Sequence, residues 1–468
     1  MATSSLLGPR KSVEDAIATT EQEGTRLKKD LGRRDIVVVG IGAMVGAGIF
    51  ALTGQAAATE AGPAVTFSFA MAAVVCALCA LCYAELAAMV PVAGSAYTFS
   101  YVTLGRLLAF IIGWDLVLEF TVGAAAVGVG AAGFIDALLT EIFDVTLPTA
   151  ISAPPAEDGV VNLPAMLLVA GLAALLYRGV KLTAKANTIL VAITLAVVAL
   201  VIVAGSTQVD TANWDPYTPF GFDGIVGGAA LVFFAFIGFD IVATTAEEAR
   251  DPQRDVPQGI LGSLAIVTVL YVLVAAVVTG MLGYEKLTGD APIADAFTAT
   301  LDNELLVIAI FAGSLVAVAK TTMILMLGQT RVAFAMARDG LLPRRLADTH
   351  QTHLTPHRIT VITAVVVIVL AGLLSLETLA KLVNIGTLFA FILVSLGVIY
   401  LRRNDPDRQR PFRTPFVPAL PLLAVAGCLY LATTLDGATW VRFLAWMALG
   451  LAVYAGFSRR SARNPPRA

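Results

Sequence analysis

The sequence predicts an all-α membrane protein of twelve transmembrane helices. Of its 468 residues, 58% are hydrophobic and 14% charged. An average soluble domain carries about 25% charge, so the chain lacks the polar surface that water demands. Its apolar residues gather in long runs, and a helix needs roughly 20 to cross the hydrocarbon. The runs are apolar on all faces and do not alternate, which favours helices over a barrel. A net charge of −3 excludes a nucleic-acid binder driven by overall basic charge. The hydrophobicity excludes a disordered chain, and four cysteines are too few for a disulfide framework.

The elements follow in order. Segment 1–34 is polar and mixed in charge, with no short apolar run before a small-residue cleavage site. The first apolar segment is therefore expected to stay in the membrane. The spans read 35–58, 63–90, 106–138, 162–178 and 185–206, then 224–246, 258–282, 305–330, 358–376 and 378–400. Two more, 417–436 and 439–457, precede a tail at 458–468. The domains are thus a first set of five helices (35–206), a second set of five (224–400) and a final pair (417–457). The connectors are too short for a sizeable soluble domain.

Basic residues orient the spans. With the N-terminus in the cytoplasm, 27 of the 31 Lys and Arg fall on that side. Lys286, Lys381 and Arg442 fall outside, and Lys320 lies within a span. An odd number of spans would break this alternation. Both termini are expected in the cytoplasm of a cell carrying the protein in its plasma (inner) membrane. The clusters Lys28, Lys29, Arg33, Arg34 and Arg402, Arg403 read as topology signals, with lipid head-group contact as the other use of such clusters.

Two spans are interrupted. The first contains GIGAMVGAGIF, Gly40 to Phe50, where each interior glycine costs roughly 1 kcal/mol relative to alanine. The sixth contains FFAFIGFD, Phe233 to Asp240, after Gly224, Gly227 and Gly228. Either one alone is equally a close-packed seam of small residues. Their places decide: each opens one set of five, the pattern that points to a transporter site. Unwound backbone survives at mid-membrane only where it lines a cavity or binds something. The half-helix after Gly46 offers free N–H groups to an anion, and carbonyls before a break offer acceptors to a cation. A carboxylate and an ammonium on one carbon satisfy both, which describes an α-amino acid.

At these residues the chain resembles a bacterial amino-acid permease of the amino acid–polyamine–organocation superfamily, within its cationic amino acid transporter family. The likeness runs from Leu31 to Pro415. It includes GIGAMVGAGIFALTG at Gly40 to Gly54, YAELAAMVPVAGSAYTFSYVTLG at Tyr83 to Gly105 and GWDLVLE at Gly113 to Glu119. FFAFIGFD, then EEARDPQRDVPQGI at Glu247 to Ile260 and GQTRVAFAMARDGLLP at Gly328 to Pro343, complete it. The resemblance implies the LeuT-type fold, two inverted five-helix repeats plus two further helices. It implies that Val45, Gly46, Ala47 and Gly48 meet a substrate carboxylate. Phe234, Ala235, Phe236 and Ile237 would supply carbonyls to the amine, with the Phe234 ring as a gate.

Ionisable residues inside spans are functional candidates by default. Glu119 matches a family glutamate that faces the substrate cavity, and there it could receive a basic side chain; an internal ion pair or hydrogen-bonded helix contact is the equal alternative. Asp115 sits one turn earlier on the same face. Asp240 follows the sixth-span break and is expected to accept backbone N–H groups there. Glu85, near the cytoplasmic end of its span, is a gate or scaffold contact, or an interfacial group. Lys320 lies centrally in the eighth span, just before Thr321 and Thr322. Sodium-coupled relatives hold the ion with hydroxyls at this place, and proton-coupled ones put a lysine there from the fifth span. The matching stretch here, ANTILVAIT at Ala186 to Thr194, ends in Thr194. Lys320 would then supply the ammonium and exchange a proton as hydration alternates. A permanent salt bridge to Glu119, Asp115 or Asp240 is the competing reading, and sodium held by Thr194, Thr321 and Thr322 a lesser one.

Cys76, Cys79 and Cys82 share one stripe, which reads as small-residue packing before metal ligation. His350, His353 and His357 read as a solvated loop. No cofactor, metal site or disulfide-linked subunit is expected. There is no Walker A motif for ATP-driven transport, and no pair of catalytic groups for an enzyme. The function expected is secondary active, proton-coupled import (symport) of a cationic or small neutral L-amino acid by alternating access. An exchanger is the alternative; a non-transporting sensor would need a larger output segment.

Overall fold

A computed structural model of the chain describes residues 31–92, 95–179, 184–289, 291–348 and 356–458. These are helical and include no strand, only a single bridge between Leu31 and Ala249. His350 and His353 lie outside the described residues.

The first apolar segment comes as three pieces, α1 (Arg33–Met44), α2 (Ala47–Phe50) and α3 (Leu52–Ala56). After it come α4 (Val65–Met89), α5 (Ser95–Thr103), α6 (Arg106–Phe143), α7 (Leu163–Tyr177) and α8 (Ala184–Ser206). The sixth segment is again divided, α9 (Gly221–Val232) from α10 (Phe239–Thr244). The rest are α11 (Pro252–Met281), α12 (Pro292–Thr300), α13 (Glu304–Arg338), α14 (His357–Leu373), α15 (Leu376–Asn404), α16 (Ala419–Thr433) and α17 (Gly437–Val453).

Among the described residues, eight helical segments are long and apolar enough to cross a membrane. Three shorter apolar helices, α7, α14 and α16, accompany them. Several boundaries differ from those read in the sequence. The seventh span was expected from 258, yet α11 begins at Pro252, because proline at a first-turn position starts a helix that polar residues then continue. The eighth was expected to end at 330, and α13 runs on to Arg338. Side-chain caps set other starts: Asn162 accepts from Ala165 N, Asn303 from Leu306 N and Asp436 from Thr439 N.

The divided sixth segment is the most enclosed, with 89% of its apolar window buried, against 17% for the last helix. α6 packs chiefly on α13 and α15, and α11 on α4 and α1. This arrangement wraps the two divided segments at the centre. All four cysteines are buried and free, with Cys79 Sγ 3.5 Å from Cys428 Sγ.

Candidate functional site

The backbone comes apart where the glycines cluster. α1 ends at Met44, Val45 is extended (φ −75°, ψ 96°), and α2 starts only after Gly46. In the sixth segment one 3-10 turn, Phe233–Phe236, leads to an extended Ile237. Gly238 follows at φ 125°, a region that side chains avoid. The two breaks touch. A β-carbon on Gly48 would lie 2.3 Å from Ala235 Cα, so only glycine allows this approach.

Neighbouring helices occupy several of the freed carbonyls, which a lipid-embedded break favours. Tyr271 Oη, from α11, lies 2.7 Å from Met44 O and 2.9 Å from Ala235 O. Thr321 donates to Val45 O at 3.3 Å. Asn384 Nδ2 donates to Ala230 O (2.7 Å) and Leu231 O (3.1 Å). Asp240 Oδ1 accepts from Gly238 N at 3.2 Å. In contrast, among the described residues the N–H groups of Gly46, Ala47 and Gly48 make no backbone hydrogen bond.

A cavity of about 20 Å³ lies between the breaks, lined by Gly46, Ala47, Gly48, Glu119, Phe234, Ile237 and Thr321 together with Gly123, Val127, Leu325 and Val383. That is room for about one water. Three expected substrate residues sit elsewhere. Val45 carries the carbonyl that Thr321 meets, Ala235 faces Gly48 and Tyr271, and the Phe236 ring packs on Tyr271 and Phe69. Glu119 is 1% exposed, and its Oε1 has no hydrogen-bond partner among the described residues. Asp115 does not line this cavity. It lies against α15, where a β-carbon on Gly386 would be 2.9 Å from its Oδ1.

Lys320 makes no salt bridge to Glu119, Asp115 or Asp240, contrary to one of the two readings of its charge: its Nζ has no hydrogen-bond partner among the described residues. A β-carbon on Gly42 would lie 3.7 Å from that nitrogen and 3.8 Å from Asn187 Oδ1, which also lacks a partner. The ammonium therefore sits where α1, α8 and α13 meet. Thr194 and Thr322 hydroxyls donate within their own helices, to Leu190 O and Val318 O.

Sequence reasoning missed Tyr271, Asn384 and Asn187. Each is a polar side chain in or beside an apolar run, and that is the signal by which they were open to discovery. Among the described residues no cluster suited to a metal occurs.

Comparisons with known proteins bear on the family. The chain is 44% identical over 459 residues, 97% of its length and 98% of the relative's, to the branched-chain amino acid permease BcaP of Bacillus subtilis. It is 41% identical over 444 residues to the methylthioribose transporter of the same organism, covering 94% and 96% of the two chains. With cationic amino acid transporter 2, vacuolar, of Arabidopsis thaliana it shares 40% identity over 410 residues, 86% of this chain and 64% of that one. The amino acid permease family profile matches residues 31–457, and the chain belongs to that family.

Proposed function

We propose that the protein is a secondary active transporter that imports an α-amino acid by alternating access. The observation that carries this is the meeting of two helix breaks at one cavity, with unpaired N–H groups from the first and carbonyls from the second. The carboxylate is bound by the N–H groups around Gly46, Ala47 and Gly48, at the positive end of a half-helix. The ammonium goes to carbonyls of the Phe234–Ile237 turn. A cavity of water size cannot hold a whole amino acid, so the divided segments must move apart to admit one.

The side chain would face Gly123, Val127, Leu325 and Val383. This apolar wall suits a branched aliphatic group, in keeping with the name of the BcaP relative. Glu119 on the same cavity supports a second reading, a cationic amino acid, as the name of the plant relative says of that protein.

We read the eight long apolar segments, the three shorter apolar helices and the divided first segment as twelve crossings. That number suits the LeuT-type arrangement of two inverted repeats (35–206 and 224–400) plus a final pair, with both termini cytoplasmic. We assign proton coupling to Lys320, which with Asn187 lies beside Gly42, and to Thr194, Thr321 and Thr322 on the same helices α8 and α13. Sodium coupling and exchange are the alternatives. Uptake of labelled leucine, arginine and methylthioribose into proteoliposomes, with and without pH or sodium gradients, tests the reading. Leucine uptake driven by an acidic exterior is expected; methylthioribose uptake alone, or binding without flux, would refute it.

A further inference from the structure

The molecule has a second concavity, separate from the helix breaks. An apolar groove of about 620 Å³ runs between α6, α13, α14 and α17. Its walls include Leu118, Val366 and Leu449. Val366 and Leu449 are 42% and 52% exposed, so nothing among the described residues covers them. Trp114 and Trp446 form part of the wall, stacked at 4.6 Å, each indole N–H donating to the other's carbonyl. These bonds fasten α17 to α6 immediately before Asp115 and Glu119.

The groove also carries one cation. Arg442 lies on the same face of α17 as Trp446 and Leu449, at i+4 and i+7. It has no hydrogen-bond or ion-pair partner among the described residues. Asp436, the carboxylate that caps α17, is engaged instead by Lys381 at 3.6 Å. Arg442 is five residues into the helix, roughly 7.5 Å from its start, and a long guanidinium side chain there extends to head-group level.

We propose that this groove is a binding site for one phospholipid with a net anionic head group. Its phosphate sits on Arg442 and an acyl chain lies along Leu118, Val366 and Leu449. Guanidinium and phosphate match in a two-pronged pair. The rest of the groove is mostly apolar, and of its polar side chains Thr363 and Gln329 are bonded to each other. A concavity of this size admits a flexible hydrocarbon chain but not the roughly 10 Å cylinder of a partner helix.

Native mass spectrometry of the full protein tests this, after incubation with equal amounts of phosphatidylglycerol and phosphatidylcholine of identical acyl chains. The wild type should retain one phosphatidylglycerol, preferred roughly fivefold, the worth of one basic side chain at an anionic surface. Arg442→Gln should lose the preference. Ala445→Trp fills the groove and keeps the charge, and should lose both lipids. Val441→Trp, at an exposed position outside the groove lining, should behave as wild type. Equal retention of the two lipids by wild type, unchanged preference in Arg442→Gln, or a lipid-free dimer would overturn the proposal. The readout is a mass and does not depend on transport.

Discussion

Arg402 grips Glu85 with two prongs, Nε to Oε1 at 3.0 Å and Nη2 to Oε2 at 2.7 Å, across 317 residues of chain. The pair ties α15 to α4. Thr414 N also donates to Glu85 at 2.7 Å, and Arg410 Nε lies 3.4 Å away. The loop after α15 is thereby folded onto the end of α4.

The ring of partners is unequal, and that gives a prediction. The Glu85 and Arg410 side chains are 2% and 4% exposed, while that of Arg402 is 27% exposed. Glu85→Gln leaves the buried Arg410 guanidinium bonded to backbone carbonyls but without a counter-charge, a loss of roughly 3–5 kcal/mol. Arg402→Gln leaves Glu85 with Arg410 and Thr414 and should cost distinctly less. All four cysteines are buried, so a thiol-reactive fluorophore reports unfolding on heating. Equal melting points for the two variants would contradict this account.

Tyr271 is the hub of the two breaks. Its hydroxyl has one proton for two carbonyls, Met44 O and Ala235 O, so it can serve only one at a time. Tyr271→Phe removes the donor from both and leaves a buried carbonyl unpaired, a loss of roughly 1–3 kcal/mol. The expected result is normal membrane expression, a melting point lowered by a few degrees and transport reduced about tenfold or more. Wild-type flux in this variant would show that the breaks are held without it.

The breaks themselves were legible. Glycine clusters weaken a helix locally, and Gly46 stands in one, while Gly238 is a single glycine ten residues after the cluster that ends at Gly228. The helices that support the breaks were not legible, because which face of α11 or α15 turns inward is decided by packing. Tyr271 and Asn384 are single polar residues in apolar runs, and periodicity places them no further than that. Arg402 read as a topology signal because its charge is visible in sequence while its partner at Glu85 is not. The ends of α11 and α13 were misjudged for a related reason. Hydropathy follows the apolar stretch, but helices extend beyond it through residues such as Arg254 and Arg338.

Gly48 tests the close approach of the breaks. A methyl group there would stand 2.3 Å from Ala235 Cα and 2.4 Å from its Cβ, well inside contact distance. Overpacking of this kind costs roughly 1–3 kcal/mol and must push the divided segments apart. Gly48→Ala is expected to fold, with binding of its amino acid weakened at least tenfold. Gly171→Ala, where a β-carbon meets nothing within 4 Å, is the control and should bind normally. Equal binding in both variants would mean that the contact does not shape the site.

Lys320 offers the sharpest test of coupling. An ammonium in a membrane span without a partner is costly, and its position near Gly42 and Asn187 gives it nothing to hold permanently. If it carries the proton, Lys320→Met removes the carrier but leaves the substrate cavity intact. Uptake driven by an acidic exterior should then fall to background, while exchange of labelled for unlabelled amino acid continues within about twofold of wild type. Thr321→Val should behave differently. It removes the donor to Val45 O beside the cavity, so uptake and exchange should fall together. Full pH-driven uptake in Lys320→Met would move the coupling proton away from this lysine, and sodium dependence in its place would assign the junction to a metal ion.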